Sequence, residues 1–564
     1  MDPLKHINKT IYRANKLKTM EIEDFPHLVG YNEDPEDYLE ESPAQKQQTT
    51  PTQDLSTKTP RQILSLNTTL GSDSIQLSKT TKTKIPLMVS VNENTLSEET
   101  TADASIDLVC LIDTSGSMDG HKLAEVQKSL VYMVELMSEN DRMALVSFNS
   151  EAQVLNSLRI CSIENKRGRL RSNISNLQAM GGTNIVGGLN KALKILEHRE
   201  SRSRVASVFL LSDGNDNFGL QGLDFVLKKF SEKIGHFSIH TFGYGDDHDS
   251  ELMTRLAENR GGSFYYIEDL NRVDEAFIDC LALLKSSLGL RLSARVELIP
   301  PEIYPNLRFA VEGTVKSSQF RLVEEKTNKD GAGTGEDGQP RGQTMEVVIE
   351  DIYIGIKKNF ICELEFDAVP NPSDYDEDEV VGVEIAKVHF EVSSTSLPPP
   401  KNSLEGGQEQ QGGEIVKKIC TSCEDLIFVN IIPEGVDHPI QRSEEVEKEL
   451  MRLQGAEIMK EARAFIDQDR IEEAKKMFEG FDVKLSRFKS IDSVLQNLQN
   501  DCQVVKKYIY RPVRNNFGRK RMGHLMAQRA HNYRNMTSNP IWSQQGMYEN
   551  KRQKKMKKML FAMK

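Results

Sequence analysis

The hydrophobic pattern of residues 105–288 alternates between short unbroken apolar runs and longer segments with apolar positions three and four residues apart. Residues 108–112 form the first run, as expected of a strand buried on both faces of a parallel sheet. Further predicted elements follow in alternation: helices over 123–137, 185–197, 225–234, 251–258 and 273–288, and strands over 143–148, 205–211, 237–242 and 264–267. This order predicts an α/β fold with a doubly wound, mostly parallel, Rossmann-like sheet and right-handed crossovers.

The residues on either side of this region follow a period of two. A strand is predicted over 85–92, and alternation of apolar and polar positions resumes over 290–298, 360–366 and 386–392. One apolar face on each strand favours an antiparallel β-sandwich, so the α/β domain is predicted to be inserted within that sandwich. Three polar insertions are predicted as mobile loops from their Gly, Pro and charge content: 324–344, 371–379 and 395–413.

The chain of 564 residues is too long for one core and is predicted to contain several domains. The predicted segments are a disordered N-terminal arm over 1–70, N-terminal sandwich strands over 71–104, the α/β domain over 105–288, the rest of the sandwich over 289–435, a small helical module over 436–510 and a basic C-terminal tail over 511–564. The arm is polar and lacks periodic apolar positions, which favours disorder. Helical spacing over 443–466, 470–479 and 491–508 predicts the module, with Gly480 ending its middle helix.

Oxygen-bearing side chains follow three of the predicted elements of the α/β domain. Asp113, Ser115 and Ser117 come directly after the first strand, Thr183 precedes the helix at 185, and Asp213 follows the strand at 205–211. Ligands in doubly wound folds bind beyond the carboxyl ends of the strands. Carboxylates and hydroxyls are hard ligands that suit Mg²⁺, Mn²⁺ or Ca²⁺.

Two interpretations of these loops follow from the residues. Ser and Asp are favoured helix caps and turn formers, so each residue by itself is more typical of a cap. Taken together, two carboxylates roughly neutralise a divalent ion, while hydroxyls add ligands without charge and leave a coordination position for an outside anion. The joint pattern over three loops favours the metal site. A rim for a partner is predicted at the same edge of the sheet, from Asn149, Asp216, Asn217, His248 and Asp249.

The same residues carry a resemblance to the von Willebrand factor type A (VWA) domain family. Asp113, Ser115 and Ser117 match its DxSxS pattern, and Thr183 and Asp213 fill its two later positions. The resemblance implies a metal-ion-dependent adhesion site (MIDAS) that holds Mg²⁺, or Mn²⁺ with the same oxygens. In that family the first-loop residues coordinate the metal, the Thr and last Asp bind it directly or through water, and a carboxylate of a partner protein completes the octahedron.

The leading functional hypothesis is therefore a non-enzymatic interaction scaffold that binds an acidic group on a partner protein. Asp113-Thr114-Ser115 partly resembles the aspartyl-phosphate hydrolases, but Ser115 stands where their acid/base Asp is expected and is a poor general acid or base. The chain has no G-x-S-x-G, H-E-x-x-H or G-x-x-x-x-G-K-[ST] motif. The flanking sandwich and helices also resemble intracellular members of the family, some of which are ubiquitin ligases. Since no RING-like cysteine series is present, a substrate-recognition component of a ligase-like assembly is kept only as a third function.

Cysteine usage and hydropathy restrict the expected location. Seven cysteines, no apolar leader near Met1 and no apolar run of about 18 residues favour reduced thiols and no membrane insertion. The cytoplasm is the expected compartment, with the nucleus as the alternative. Cys420 and Cys423 have the spacing of half a zinc site, but no second pair follows at zinc-finger distance.

Charge is unevenly distributed along the chain, whose net charge is −12. From Arg511 onward there are fourteen Lys or Arg residues and one acidic residue, so the C-terminus is basic and the body acidic. This asymmetry predicts attraction to an acidic protein surface, to nucleic acid, or back onto the body itself. The basic stretch at 551–558 is also typical of nuclear-localisation or nucleic-acid-binding segments, which gives the alternative function.

Overall fold

A computed structural model gives the architecture of most of the chain. It describes residues 64–76, 78, 80–93, 104–214, 216–217, 222–245, 248–269, 272–299, 307–309, 321–324, 344–349, 351–368, 381–394, 420–432, 437–488, 492–510, 516–535 and 551–563. The first strands are β1 (Leu64–Leu70), β2 (Ser74–Gln76) and β3 (Thr83–Glu93). The predicted arm over 1–70 is therefore wrong over its last seven residues, where Leu64 and Leu66 are buried in a strand. Residues 1–63 lie outside the described part of the chain.

The α/β domain contains a six-stranded sheet in the order β6-β5-β4-β7-β8-β9. Its strands are β4 (Ile106–Asp113), β5 (Arg142–Phe148), β6 (Ala152–Ile160), β7 (Val205–Ser212), β8 (Ser238–Tyr244) and β9 (Phe264–Ile267). Its main helices are α1 (His121–Leu136), α2 (Ile185–Glu197), α3 (Leu223–Ile234), α4 (Ser250–Asn259) and α5 (Val273–Lys285). Short helical turns lie at Gly116–Met118, Ile163–Asn165, Lys166–Leu170 and Arg171–Ser175.

Helices on both faces of this sheet explain its unbroken apolar strands. All eight residues of β4 and of β7 are buried, and the two faces of the sheet contribute to separate apolar cores. The strands pair in parallel except for the edge strand β6, which pairs antiparallel with β5. The predicted α/β fold class is confirmed. The hairpin strand β6 was not predicted, because its burial alternates too weakly to show a period of two.

The chain returns to the sandwich after the α/β domain. The strands are β10 (Leu290–Leu298), β11 (Leu307–Phe309), β12 (Arg321–Glu324), β13 (Thr344–Ile349), β14 (Lys358–Phe366), β15 (Val381–Ser394) and β16 (Cys420–Ile432). They form two sheets with the N-terminal strands, in the orders β1-β3-β14-β11 and β12-β13-β10-β15-β16-β2. Pairing is antiparallel except between β16 and β2, which is parallel. Since β1, β2 and β3 join sheets completed after residue 290, the α/β domain is inserted in the sandwich. The predicted mobile insertions lie almost wholly outside the described residues.

The C-terminal part of the chain is helical. The helices are α6 (Glu444–Asp467), α7 (Ile471–Leu485), α8 (Ser493–Tyr510), α9 (Asn516–Asn535) and α10 (Lys551–Met563). The expectation that Gly480 ends the middle helix is wrong, since α7 continues through it to Leu485. The described residues beyond 511 are more than a tail, because α9 packs on α6, α4 and β9, and α10 packs on α5 and α1. Among the described helices, none combines the length and apolar composition that crossing a membrane requires.

Candidate metal centre

Three loops meet at the carboxyl edge of the parallel sheet. Asp113 ends β4 and is buried, because β5 and β7 flank it on either side. Backbone hydrogen bonds tie the loop after β4 to the loop before α2: Gly116 N donates to Gly181 O at 3.0 Å, and Met180 N donates to Thr114 O at 2.8 Å. The side chains of these loops are therefore held at fixed relative positions.

A chain of hydrogen bonds links the two aspartates through the serines. Asp113 accepts from Ser115 N at 2.8 Å on Oδ1 and from Ser212 Oγ at 2.5 Å on Oδ2. The hydroxyls of Ser115 and Ser117 lie 3.1 Å apart, and Ser117 Oγ donates to Asp213 Oδ1 at 2.7 Å. Four of the five predicted ligands thus lie in one connected cluster.

Thr183 joins the cluster from the loop before α2. The hydroxyls of Thr183 and Ser117 both lie beside Gly214, the residue after Asp213. Measured from the position that a Cβ would take on Gly214, they are 3.5 Å and 3.8 Å away. Asn217 holds the Thr183 backbone in this place, since its Oδ1 accepts from Thr183 N and its N donates to Thr183 O, both at 2.8 Å. The structure brings all five predicted ligands to one edge of the sheet.

One charged side chain in this cluster was missed by the sequence reasoning. Lys122, in the first turn of α1, places its ammonium Nζ in contact with Asp213 Oδ2. Asp213 is therefore shared between the Ser117 hydroxyl and an internal cation. The DxSxS pattern does not indicate a lysine nine residues after Asp113. Whether that lysine can contact Asp213 depends on where the helix begins.

Burial controls the electrostatics of the site. Burial is the main reason that the pKa of the Asp113 carboxyl is raised to about 6; the charge of Asp213 adds to the rise, and the hydrogen bonds from Ser212 and Ser115 oppose it. Two carboxylates this close in a buried setting disfavour each other's charge. A cation placed between them would relieve this cost.

The predicted rim is only partly present. Asp216 Oδ2 accepts from Ile185 N at 3.0 Å, and the Asn149 carbonyl accepts from Asn184 N at 2.8 Å. Both residues are half-buried and adjoin the loop that carries Thr183. Asn217 is exposed beside the same loop. These three residues lie where a partner seated on the metal-site edge would meet them.

His248 and Asp249 follow β8, but their side chains are engaged by other parts of the chain. Asp249 caps α4, accepting from Glu251 N at 3.1 Å and from Leu252 N at 2.9 Å. His248 is buried, with its ring stacked on His524 of α9 at 4.2 Å between centroids. The prediction of an open partner-binding rim at His248 is therefore wrong. A helix that begins more than 260 residues later in the chain covers it, and no local pattern could have indicated that.

The donor set of the cluster fits a hard divalent cation. Two carboxylates and three hydroxyls are oxygen ligands of the type that Mg²⁺ and Mn²⁺ accept. In the described part of the chain, no three His, Cys, Asp or Glu side chains are arranged so that they could hold a metal ion, so this site would rely on hydroxyls as much as on charge. The ammonium of Lys122 already stands in for a cation at one carboxylate.

A parallel sheet with this cluster at its carboxyl edge defines a von Willebrand factor type A domain. Residues 107–277 match the family model described as "von Willebrand factor type A domain", and the chain contains such a domain. Domains of this class are commonly protein-interaction or adhesion modules, and they often carry a MIDAS.

Similar proteins share the domain in different settings. Human inter-alpha-trypsin inhibitor heavy chain H4 is 31% identical over 163 residues, covering 28% of this chain and 17% of that protein. Mouse calcium-activated chloride channel regulator 3A-1 is 28% identical over 222 residues, covering 38% of this chain and 24% of that protein. The chain spans less than half the length of the curated relatives it matches first.

A solved structure, von Willebrand factor type A from Catenulispora acidiphila, covers 79% of this chain and 97% of its own, with a TM-score of 0.52 and 14% identity. That likeness concerns the fold alone, and it extends well beyond the VWA domain.

Proposed function

We propose that this protein is a non-enzymatic interaction scaffold whose VWA domain binds an acidic group on a partner protein through a divalent metal. The observation that carries the proposal is the convergence of Asp113, Ser115, Ser117, Thr183 and Asp213 at one edge of the sheet. Mg²⁺, or Mn²⁺ with the same oxygens, is the proposed ion. When bound, the ion supplies an open coordination position that attracts a carboxylate.

The residues of the chain prepare this site in distinct ways. Ser212 and the Ser115 backbone amide hold both oxygens of the Asp113 carboxylate, so that side chain is fixed before any ligand arrives. Ser117 orients Asp213 by donating to it, and Asn217 fixes the backbone of Thr183. A fixed donor set lowers the ordering cost of binding.

The non-enzymatic part of the proposal is supported by the chemistry of the site. Ser115 and Ser117 donate to or adjoin other hydroxyls and carboxylates rather than an imidazole base. His248 is buried and its ring is stacked on His524 of α9. Among the described contacts of the site, the serine hydroxyls pair with carboxylates or with each other, and none pairs with a histidine base.

The alternative of a nucleic-acid-binding tail has less support. Several basic side chains beyond residue 511 bind groups of this same chain: Arg521 contacts Glu268, Arg529 contacts Asp501, and Lys557 lies 2.9 Å from Asp279. These contacts favour attraction back onto the acidic body.

For location, we propose a reducing compartment, cytoplasm or nucleus, supported by the free state of the cysteines for which the structure describes side chains.

The metal part of the proposal is tested by calorimetric titration of the full chain with Mg²⁺ and Mn²⁺. The wild type should bind one equivalent. Asp113→Ala should weaken binding by more than ~10–100-fold, which is the typical cost of losing a residue that only hydrogen-bonds to a metal ligand. Asp119→Ala is the matched control, because Asp119 is exposed in the same loop. Equal affinity in all three proteins would contradict the metal site.

The partner part is tested with immobilised peptides that differ only by Glu against Gln at one position. The wild type in Mg²⁺ should retain Glu peptides selectively, and both EDTA and Asp113→Ala should abolish that selectivity. Retention that ignores EDTA, Asp113 and the Glu-to-Gln change would show that binding does not use this site.

A further inference from the structure

Lys122 is the cation that the protein itself supplies to the metal site. Its Nζ contacts Asp213 Oδ2, while the other oxygen of that carboxylate accepts from Ser117. Asp213 is fully buried at its side chain, whereas Lys122 is 33% exposed. The ammonium therefore enters the site from the solvent side and reaches a carboxylate that solvent does not.

The position of Lys122 is unfavourable for a lysine apart from this contact. It lies in the first turn of α1, where the helix dipole repels positive charge. That turn contains no acidic residue, and its N-cap, Gly120, makes no side-chain capping bond. Attraction to the buried Asp213 opposes the repulsion from the helix end, so the ammonium is held by the same carboxylate that a metal would use.

We propose that Lys122 is a built-in competitor of the metal: it neutralises Asp213 in the metal-free protein and must leave that carboxylate when a divalent ion binds. The inference rests on the proposed metal function of the site. A flexible four-carbon stem lets the ammonium move into solvent without a change in the helix. The metal affinity of the domain is then set by exchange of one cation for another.

Two opposite effects are expected when the charge of Lys122 is removed. In Lys122→Met the apolar stem is kept, but Asp213 loses its counter-ion, so the metal-free protein should unfold at a lower temperature. The same change removes the competitor, so Mg²⁺ and Mn²⁺ should bind up to about 5-fold more tightly, the size expected of one partly exposed charge pair. Lys122→Arg keeps a positive charge and should remain within a few-fold of wild type.

The experiment measures metal affinity by calorimetry and unfolding temperature with and without metal, on the full chain. Lys128→Met is the matched control: Lys128 lies on the same helix, is exposed and pairs with Glu125 at 3.2 Å. It should leave the metal affinity unchanged. Tighter binding and a larger metal-induced rise in unfolding temperature for Lys122→Met alone would support the proposal.

The outcomes separate this inference from the function on which it rests. If the wild type binds metal and Lys122→Met binds equally or more weakly, the competitor role is overturned and the metal site stands. If the wild type binds no metal but Lys122→Met does, the lysine blocks the site and the competitor role is supported. If neither protein binds metal, both proposals fail.

Discussion

Asp107, at the start of β4, is a buried carboxylate that pairs with two buried arginines. Its carboxylate accepts from Arg142 at 2.8 and 2.9 Å, from Arg199 at 2.8 Å and from the Ser203 amide at 3.1 Å. Both arginine side chains are 3% exposed. Because a buried charge without its partner is strongly unfavourable, Asp107→Ala should lower the free energy of unfolding by about 3–5 kcal/mol.

Urea unfolding of the full chain measures this effect. Asp224→Ala serves as control, since Asp224 pairs with Arg255 at the surface, where an ion pair contributes at most about 1 kcal/mol. A loss in Asp107→Ala as small as in the control would show that the two arginines find other partners or reach solvent.

At the same scale, the meeting of the predicted ligand residues could be foreseen, because strand ends lie together at one edge of a parallel sheet. Asp113 and Asp213 follow buried strands, and that position follows from hydrophobic periodicity alone. Lys122 could not be predicted in the same way. Its contact depends on the helix starting at His121 and on a side chain crossing to another loop.

Helix α9 joins two parts of the molecule and explains why the predicted tail is structured. On one side, His531 Nε2 accepts from Phe264 N of β9 at 3.2 Å. On the other, Tyr533 OH donates to Asp501 of α8 at 2.6 Å. A helix covered on two sides needs no single apolar stripe, so its basic composition suggested a solvated segment.

The histidines beneath α9 should make this junction sensitive to acid. The pKa of His248 is lowered to about 3, mainly by burial; nearby His524 from α9 and Arg463 from α6 add to the shift, and hydrogen bonds to Gly245 and Tyr244 oppose it. Among the described ring contacts of His248, the other ionisable ring is that of Tyr266 of β9, which lies tilted at 5.5 Å between centroids. In the unfolded chain the pKa of His248 is 6.5. Between pH 6.5 and about 3, the unfolded state therefore binds a proton that the folded state does not bind. Stability is complete above pH 6.5 and falls as the pH drops below it.

Unfolding free energies at pH 7.5 and 5.5 measure the size of this effect. His248→Phe keeps a ring against His524 but cannot be protonated, so its loss of stability should be about 1.4 kcal/mol smaller than that of wild type over this interval. His198→Phe, on the exposed end of α2, should lose as much as wild type. Identical losses in all three proteins would mean that His248 is not kept neutral by its surroundings.

At the scale of the whole molecule, the fold follows from two hydrophobic periods in the sequence and from the return of the chain to the sandwich after the inserted domain. Period-two alternation before residue 93 and after residue 290 predicted the sandwich, and helical alternation between them predicted the inserted domain. The parallel pairing of β2 with β16 could not be predicted, because a three-residue strand carries no periodic signal. The placement of α9 and α10 could not be predicted either, since their contacts with the VWA domain lie hundreds of residues away in the chain.

Helix α10 closes this arrangement by returning the basic C-terminus to the VWA domain. Lys557 Nζ lies 2.9 Å from the fully buried carboxylate of Asp279 on α5, and Arg552 donates to the Lys285 carbonyl at 3.2 Å. Leu560 is completely buried in the same helix. Charge attraction between the basic end and the acidic body thus acts through specific contacts as well as through net charge.

Lys557→Met tests whether these contacts stabilise the VWA domain. The variant leaves the buried Asp279 without this cation, so the free energy of unfolding should fall by about 3 kcal/mol and hydrogen exchange in α5 should accelerate. Lys555→Met removes an equal charge from an exposed position of the same helix and should change neither quantity. Equal effects of the two variants would mean that the basic helix acts only through its net charge, and the C-terminus would again be available to an acidic partner. A selective effect of Lys557→Met would instead make α10 an integral part of the VWA domain, whose stability then depends on chain that lies outside the family match.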